Sequence, residues 1–143
     1  MKAFLAAVLL VPAIALAQYP SKPVRIVLPF GPGGVADITT RTIAPRLSEG
    51  LGQQVLVENL PGAGGIRAAS EVAKAEPDGH TLLLLTNGNA VSQALFKSLP
   101  YDPVNDFAMI STVGFFSLVI VTRPESQAKT LQDAIAMAKA NPG

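Results

Sequence analysis

The feature that most constrains this chain is a unit that occurs twice: an apolar strand-length run, a glycine loop, and a segment of helical spacing. Val24-Arg25-Ile26-Val27-Leu28 is β-branched and apolar, and it stops at Pro29-Phe30-Gly31-Pro32-Gly33-Gly34. From about Ala36 to Leu51, the residues Ile38, Thr42, Ile43 and Leu47 predict a helix, with Gly50 and Gly52 as stop signals. Pro45 is expected to kink or divide it. The second unit is the strand Gln54–Glu58, the loop Asn59-Leu60-Pro61-Gly62-Ala63-Gly64-Gly65 and an Ala-rich helix from Ile66 to Ala75. After a turn at Pro77-Asp78-Gly79, Thr81–Leu85 reads as a third strand, apolar on both faces. Continuous apolar strands alternating with helices predict an α/β fold with a mostly parallel sheet covered on both sides. Ligands of such sheets bind beyond the carboxyl ends of the strands, where both glycine loops and Thr86-Asn87-Gly88-Asn89 fall.

Further along, Leu99-Pro100-Tyr101-Asp102-Pro103-Val104-Asn105-Asp106-Phe107 reads as an irregular surface segment. Val113–Thr122 is expected to be a long apolar strand. Thr130–Lys139 is expected to be a helix, with Thr130 as its N-cap ahead of Asp133.

The start of the chain reads as an address. Met1 and Lys2 precede an uncharged run of 15 residues from Ala3 to Ala17, shorter than the ~20 that span a bilayer as a helix. It contains Pro12 and ends in Ala15-Leu16-Ala17, the small-x-small pattern that signal peptidase reads, so residues 1–17 are expected to be a cleaved secretory signal. Loss of Lys2 leaves the exported chain with balanced basic and acidic groups.

Composition removes several classes of function. With no Cys and one His there is no Cys/His metal site, disulfide framework or Cys nucleophile. A formal charge of +1 without a Lys/Arg cluster argues against a nucleic-acid partner. Gly31-x-Gly33-Gly34 lacks the G-x-G-x-x-G spacing, and no G-x-x-x-x-G-K-[ST] occurs. The serines lie in no G-x-S-x-G elbow, and His80, beside Asp78-Gly79, reads as a solvated turn residue. No cofactor is expected, nor catalysis. Loops poor in Cβ atoms let backbone N–H groups converge on a ligand, and a following helix N-terminus adds roughly half a positive charge. Both loops therefore suit a carboxylate or phosphate. Asp37 fits two roles, a first-turn carboxylate serving the helix dipole or a ligand-facing acceptor, and Asn87 and Asn89 are either turn residues or pocket amides.

Taken in order, these stretches resemble the extracytoplasmic solute receptors of tripartite tricarboxylate transporters, the Bug receptors. The resemblance runs from Tyr19-Pro20-Ser21-Lys22-Pro23 through the first loop with Asp37, then Val57-Glu58-Asn59 with Pro61-Gly62-Ala63-Gly64-Gly65. It continues at Pro77-Asp78-Gly79, Leu99-Pro100-Tyr101-Asp102-Pro103 with Asp106-Phe107, and Ala138-Lys139-Ala140-Asn141-Pro142-Gly143. It implies a periplasmic, two-lobed binding protein of the type II class that closes on a small carboxylate-bearing solute and hands it to membrane permease subunits, as a monomer. It also implies that Phe30, Gly31, Pro32, Gly33 and Gly34, with Ala63, Gly64 and Gly65, grip one carboxylate through main-chain amides and ordered water. Asp37 would help select the far part of the solute, and Thr86, Asn87 and Asn89 would add pocket contacts. Ile66-Arg67-Ala68 departs from the family's usual Asn, apolar residue and Gly, and Ala68 is expected to hold the second loop slightly further from the ligand.

Two lobes need roughly twice this length. Residues 18–112 are expected to supply most of one lobe, and 113–143 a crossing strand and the start of the other. With one wall of the cleft, the chain alone is expected to bind solute poorly or not at all. Two further readings stay open: a sensory receptor of the same fold that signals to a membrane kinase, and an exported α/β enzyme binding a phosphorylated ligand.

Overall fold

Val24–Leu28 forms the central strand β1, bounded by Pro23 and Pro29 as its sequence requires. In the computed structural model residues 19–141 are described, and the expected signal segment lies outside them. Helix α1 spans Val35–Leu51, strand β2 Val55–Asn59, helix α2 Ile66–Ala73, strand β3 Thr81–Leu83, helix α3 Asn87–Leu95 and helix α4 Leu131–Ala140. A 3-10 turn at Ala63–Gly65 leads directly into α2.

The three strands form one parallel sheet in the order β2-β1-β3. Alternation along β1 sends its side chains to two separate cores. Val24 and Ile26 pack with Val55, Val57, Leu82 and Ala44 of α1. Val27 packs on the opposite face with Leu60, Leu83, and Ala68 and Val72 of α2. The sheet is thus covered by α1 on one side and α2 on the other, as its apolar strands predict. Because the crossover β1-α1-β2 and the crossover β2-α2-β3 run in opposite directions, the chain reverses across β1, the kind of switch point at whose carboxyl edge α/β sheets bind ligands.

Pro45 lies inside α1 without dividing it. Its missing N–H deprives the Arg41 carbonyl of its helical donor. Gly52, at φ 66°, supplies the left-handed C-cap, whereas Gly50 is an ordinary helical residue. Ser48 joins α1 to the sheet: its hydroxyl donates to the Ala44 carbonyl and accepts the Val55 N–H, both at 2.9 Å.

Four expectations require correction. Strand β3 is shorter than Thr81–Leu85 and only half-buried, because β1 alone pairs with it among the described residues. Its pairing does continue one residue further, from the Leu84 N–H to the Val27 carbonyl at 3.0 Å. Helix α3 stands where a turn was an open reading. His80 is buried rather than solvated, its ring meeting Tyr19 edge-on at 5.0 Å while Nε2 accepts the Ser21 N–H at 3.2 Å. Val113–Thr122 forms no strand, since it finds no backbone partner among the described residues and a strand is defined by its ladder.

The described chain divides into two units, one ending at Ser111 and one starting at Thr112. In the second, Thr130 caps α4 as expected, accepting the Asp133 N–H at 3.2 Å while Asp133 accepts the Thr130 N–H at 2.9 Å. None of the described helices is long and apolar enough to cross a membrane.

Candidate functional site

A parallel sheet places every strand tip of the same polarity on one edge, so the segments after β1, β2 and β3 are neighbours. The first is Pro29–Gly34, the second Leu60–Gly65 and the third leads through Thr86 into α3. Contacts between them are close. A Cβ built on Gly65 would lie 3.1 Å from Pro29 Cβ and 3.1 Å from Asn89 Nδ2, and one on Gly88 would lie 3.3 Å from the Gly64 carbonyl oxygen. Both positions are tight for a side chain, and at Gly65 the left-handed φ of 94° adds a torsional requirement.

Each tip opens a helix. In α1 the first helical bond runs from the Ile38 N–H to the Gly34 carbonyl, so the amides of Val35 and Ala36 have no intrahelical acceptor. Helices α2 and α3 begin at Ile66 and Asn87. Three helix N-termini, each carrying roughly half a positive charge, therefore meet at one edge of the sheet. Such an edge favours an anion.

The second loop is conformationally unusual. Gly62, Ala63, Gly64 and Gly65 are consecutive at φ 135°, 46°, 64° and 94°. Ala63 is the residue that bears the strain of this run, since a side chain in the left-handed region costs about 1 kcal/mol or more. The turn is closed by the Gly65 N–H to the Gly62 carbonyl at 3.0 Å. In the first loop Gly33 takes φ 86°, with nothing within 4 Å of where its Cβ would be.

Asp37 is almost fully buried and its oxygens are occupied by the protein itself. Oδ2 accepts the Gly33 N–H at 2.9 Å, and Oδ1 accepts Arg41 Nε and Asn59 Nδ2, both at 2.9 Å. The Gly33 amide, then Asn59 and Arg41, hold its carboxyl below the usual carboxylate range. The Gly33 N–H is thereby committed within the loop. Phe30, Pro32 and Gly34 are exposed, and Gly31 is half-buried.

Residues 39–143 match the profile of a family described as the tripartite tricarboxylate transporter family receptor. The chain belongs to this family. It is 41% identical over 127 residues to protein BugT of Bordetella pertussis, covering 87% of this chain and 39% of that one. Two solved structures from Rhodopseudomonas palustris are similar. MatC with bound malate shares 42% identity at TM-score 0.57, over 62% of this chain and 31% of that one. Rpa4515 with adipate shares 30% identity at TM-score 0.57, over 86% and 42%. The chain spans about two-fifths of the length of the curated relatives it matches. The periplasmic binding protein BugD is similar too, at 40% identity and TM-score 0.59, over 62% of this chain and 30% of that one.

Within this chain, the third tip is held by a buried amide. Asn89 Oδ1 accepts the Thr86 N–H at 3.1 Å and the Thr86 hydroxyl at 3.2 Å. Its Nδ2 donates to the Gly65 carbonyl at 3.3 Å and the Tyr101 hydroxyl at 3.4 Å. Asn89 thus fastens α3 to the second loop, while Asn87 is exposed and Thr86 half-buried. Ala68 is fully buried against Val27 and Leu60, so its methyl fills the gap between α2 and the sheet. Arg67 is exposed.

Sequence reasoning assigned no role of their own to Asn59, Arg41 and Tyr101, all of which touch this edge. Asn59 was visible as the polar end of an apolar strand beside a glycine loop, the one signal that singles it out.

Proposed function

We propose that this chain supplies one wall of a periplasmic solute receptor that grips a small dicarboxylate at the shared edge of the three strand tips. The observation that carries the reading is the convergence there of two glycine loops and three helix N-termini. Amides of Gly31, Gly34, Val35 and Ala36 from the first tip, and of Gly64 and Arg67 from the second, take one carboxylate, directly or through water. Phe30 and Pro32 shape the entrance and Ala63, Thr86 and Asn87 complete the rim, while the buried Gly65 and Asn89 hold the second and third tips together behind it. The malate and adipate bound by two relatives support a solute carrying two carboxylates. Residues 18–112 form most of the first lobe and 113–143 lead into the second. Closure of two lobes around the solute creates the form that permease subunits of a tripartite transporter accept. The work of the receptor is capture, with no covalent step.

Amide chemical shifts of the 15N-labelled chain during titration with malate, and with its neutral diamide, test this. Malate at millimolar concentration is expected to shift Gly31, Gly34, Val35, Gly64 and Arg67, and the diamide to leave them in place. Equal shifts from both compounds, or malate shifts confined to other surfaces, would overturn the assignment.

A further inference from the structure

We propose that Asn59 is a positioning residue that holds the first glycine loop in register with the second, an inference resting on the carboxylate reading above. Asn59 ends β2, and parallel pairing sets it opposite Leu28, immediately before the first loop begins. Its Nδ2 donates both to the Phe30 carbonyl at 3.1 Å and to Asp37 Oδ1 at 2.9 Å. Its Oδ1 accepts Arg41 Nη2 at 2.8 Å. One side chain from the second tip therefore reaches the first loop, the first turn of α1 and the next turn. The following residue adds a backbone tie, the Leu60 N–H to the Leu28 carbonyl at 2.8 Å.

The bond to Phe30 sets an amide as well as a carbonyl. In a trans peptide the C=O and the next N–H point in opposite directions, so drawing the Phe30 oxygen toward Asn59 turns the Gly31 N–H away from it. The bonds to Asp37 and Arg41 settle a problem of charge. A buried carboxylate beneath an anion-gripping loop repels its ligand unless it is neutralised. Arg41 neutralises it, and Asn59 bridges the pair by touching both members. The chain's own donors thus occupy both Asp37 oxygens, and Asp37 serves the loop from beneath.

The decisive variant is Asn59→Asp, which keeps the shape and removes the donor. Malate affinity, read from the Gly64 and Arg67 amide shifts, is compared with the unmodified chain at pH 7 and at pH 5. At pH 7 the variant is expected to bind about tenfold more weakly, the size of one lost hydrogen bond to a charged group. Two facing carboxylates share a proton more readily than either alone, so at pH 5 the donor returns and the affinity ratio is expected to rise toward one. A ratio near one at pH 7, or a deficit equal at both pH values, overturns the proposal. Should Asn59→Asp fail to fold, Arg41→Gln replaces it, and its loss of affinity is expected to be greater for malate than for the monoanion lactate; equal losses count against the proposal. Solute-free hydrogen exchange separates this inference from the receptor reading. If the unmodified chain ignores malate, faster exchange at Gly33, whose N–H is held by Asp37, in Asn59→Asp still sustains the positioning role, and unchanged exchange refutes it.

Discussion

Asn89 and Gly65, 24 residues apart in sequence, meet through a hydrogen bond of 3.3 Å from the Asn89 side-chain amide to the Gly65 carbonyl. That bond joins the third strand tip to the second glycine loop, and Asn89 has no exposed surface. Replacing it with Leu strands the buried Gly65 carbonyl and takes the acceptor from the half-buried Thr86 N–H. Asn89→Leu is expected to cost about 1–3 kcal/mol in urea unfolding. A loss of a few tenths would mean that α3 is held by other contacts.

Gly65 and Gly33 are both left-handed, yet they differ in what surrounds them. Gly65→Ala combines torsional strain with a methyl driven against Pro29 and Asn89, and about 2 kcal/mol or more of destabilisation is expected. Gly33→Ala meets only the torsional cost, about 1 kcal/mol. Denaturant midpoints of the two variants test the ordering, and equal losses would contradict the packing described around Gly65.

Asp78 gives the fold an acid-sensitive contribution at the opposite end of the sheet. Lys22, at 2.8 Å, and the His80 N–H pull its carboxyl down to about 2 from an ordinary value of 3.8. The folded value is the lower one, so the stabilisation is complete above pH 3.8 and disappears as pH falls toward 2. Melting temperatures of Asp78→Asn are therefore expected to depend less on pH between 4 and 2 than those of the unmodified chain. Asp37, Asp102 and Asp133 are shifted in the same direction, so part of the dependence persists. The Lys22 pair is partly exposed, and added salt is expected to shrink the Asp78 share.

Strand β1 is legible to the residue because two prolines bracket a five-residue β-branched run, and both limits are local chemistry. The shared edge of the glycine loops follows from the parallel order, which continuous apolar strands already imply. Helix α3 is less legible because Asn87-Gly88-Asn89 carries turn chemistry, and the segment is helical where Asn89 finds Gly65 and Tyr101. His80 shows the same limit: its turn is plain in Pro77-Asp78-Gly79, but its burial depends on Tyr19, about 60 residues earlier. Asn59 depends on register. Only the pairing of Leu28 with Asn59 brings its amide to the first loop.

Residues 107–122 contain no charge, and among them Phe115, Leu118, Val119, Ile120 and Val121 are largely exposed, with no ladder partner among the described residues. Unpaired, uncharged and β-branched, this run has the properties that drive strand-to-strand association between chains. A single charge placed within it opposes stacking, because identical segments in register would bring like charges together. Leu118→Lys is therefore expected to raise the concentration at which light scattering and thioflavin fluorescence appear. Leu118 is 72% exposed, so folded-state stability is expected to change by less than about 0.5 kcal/mol. Unaltered aggregation in Leu118→Lys would place the association-prone surface elsewhere, with the exposed Leu131, Ile135 and Met137 of α4 the next candidates.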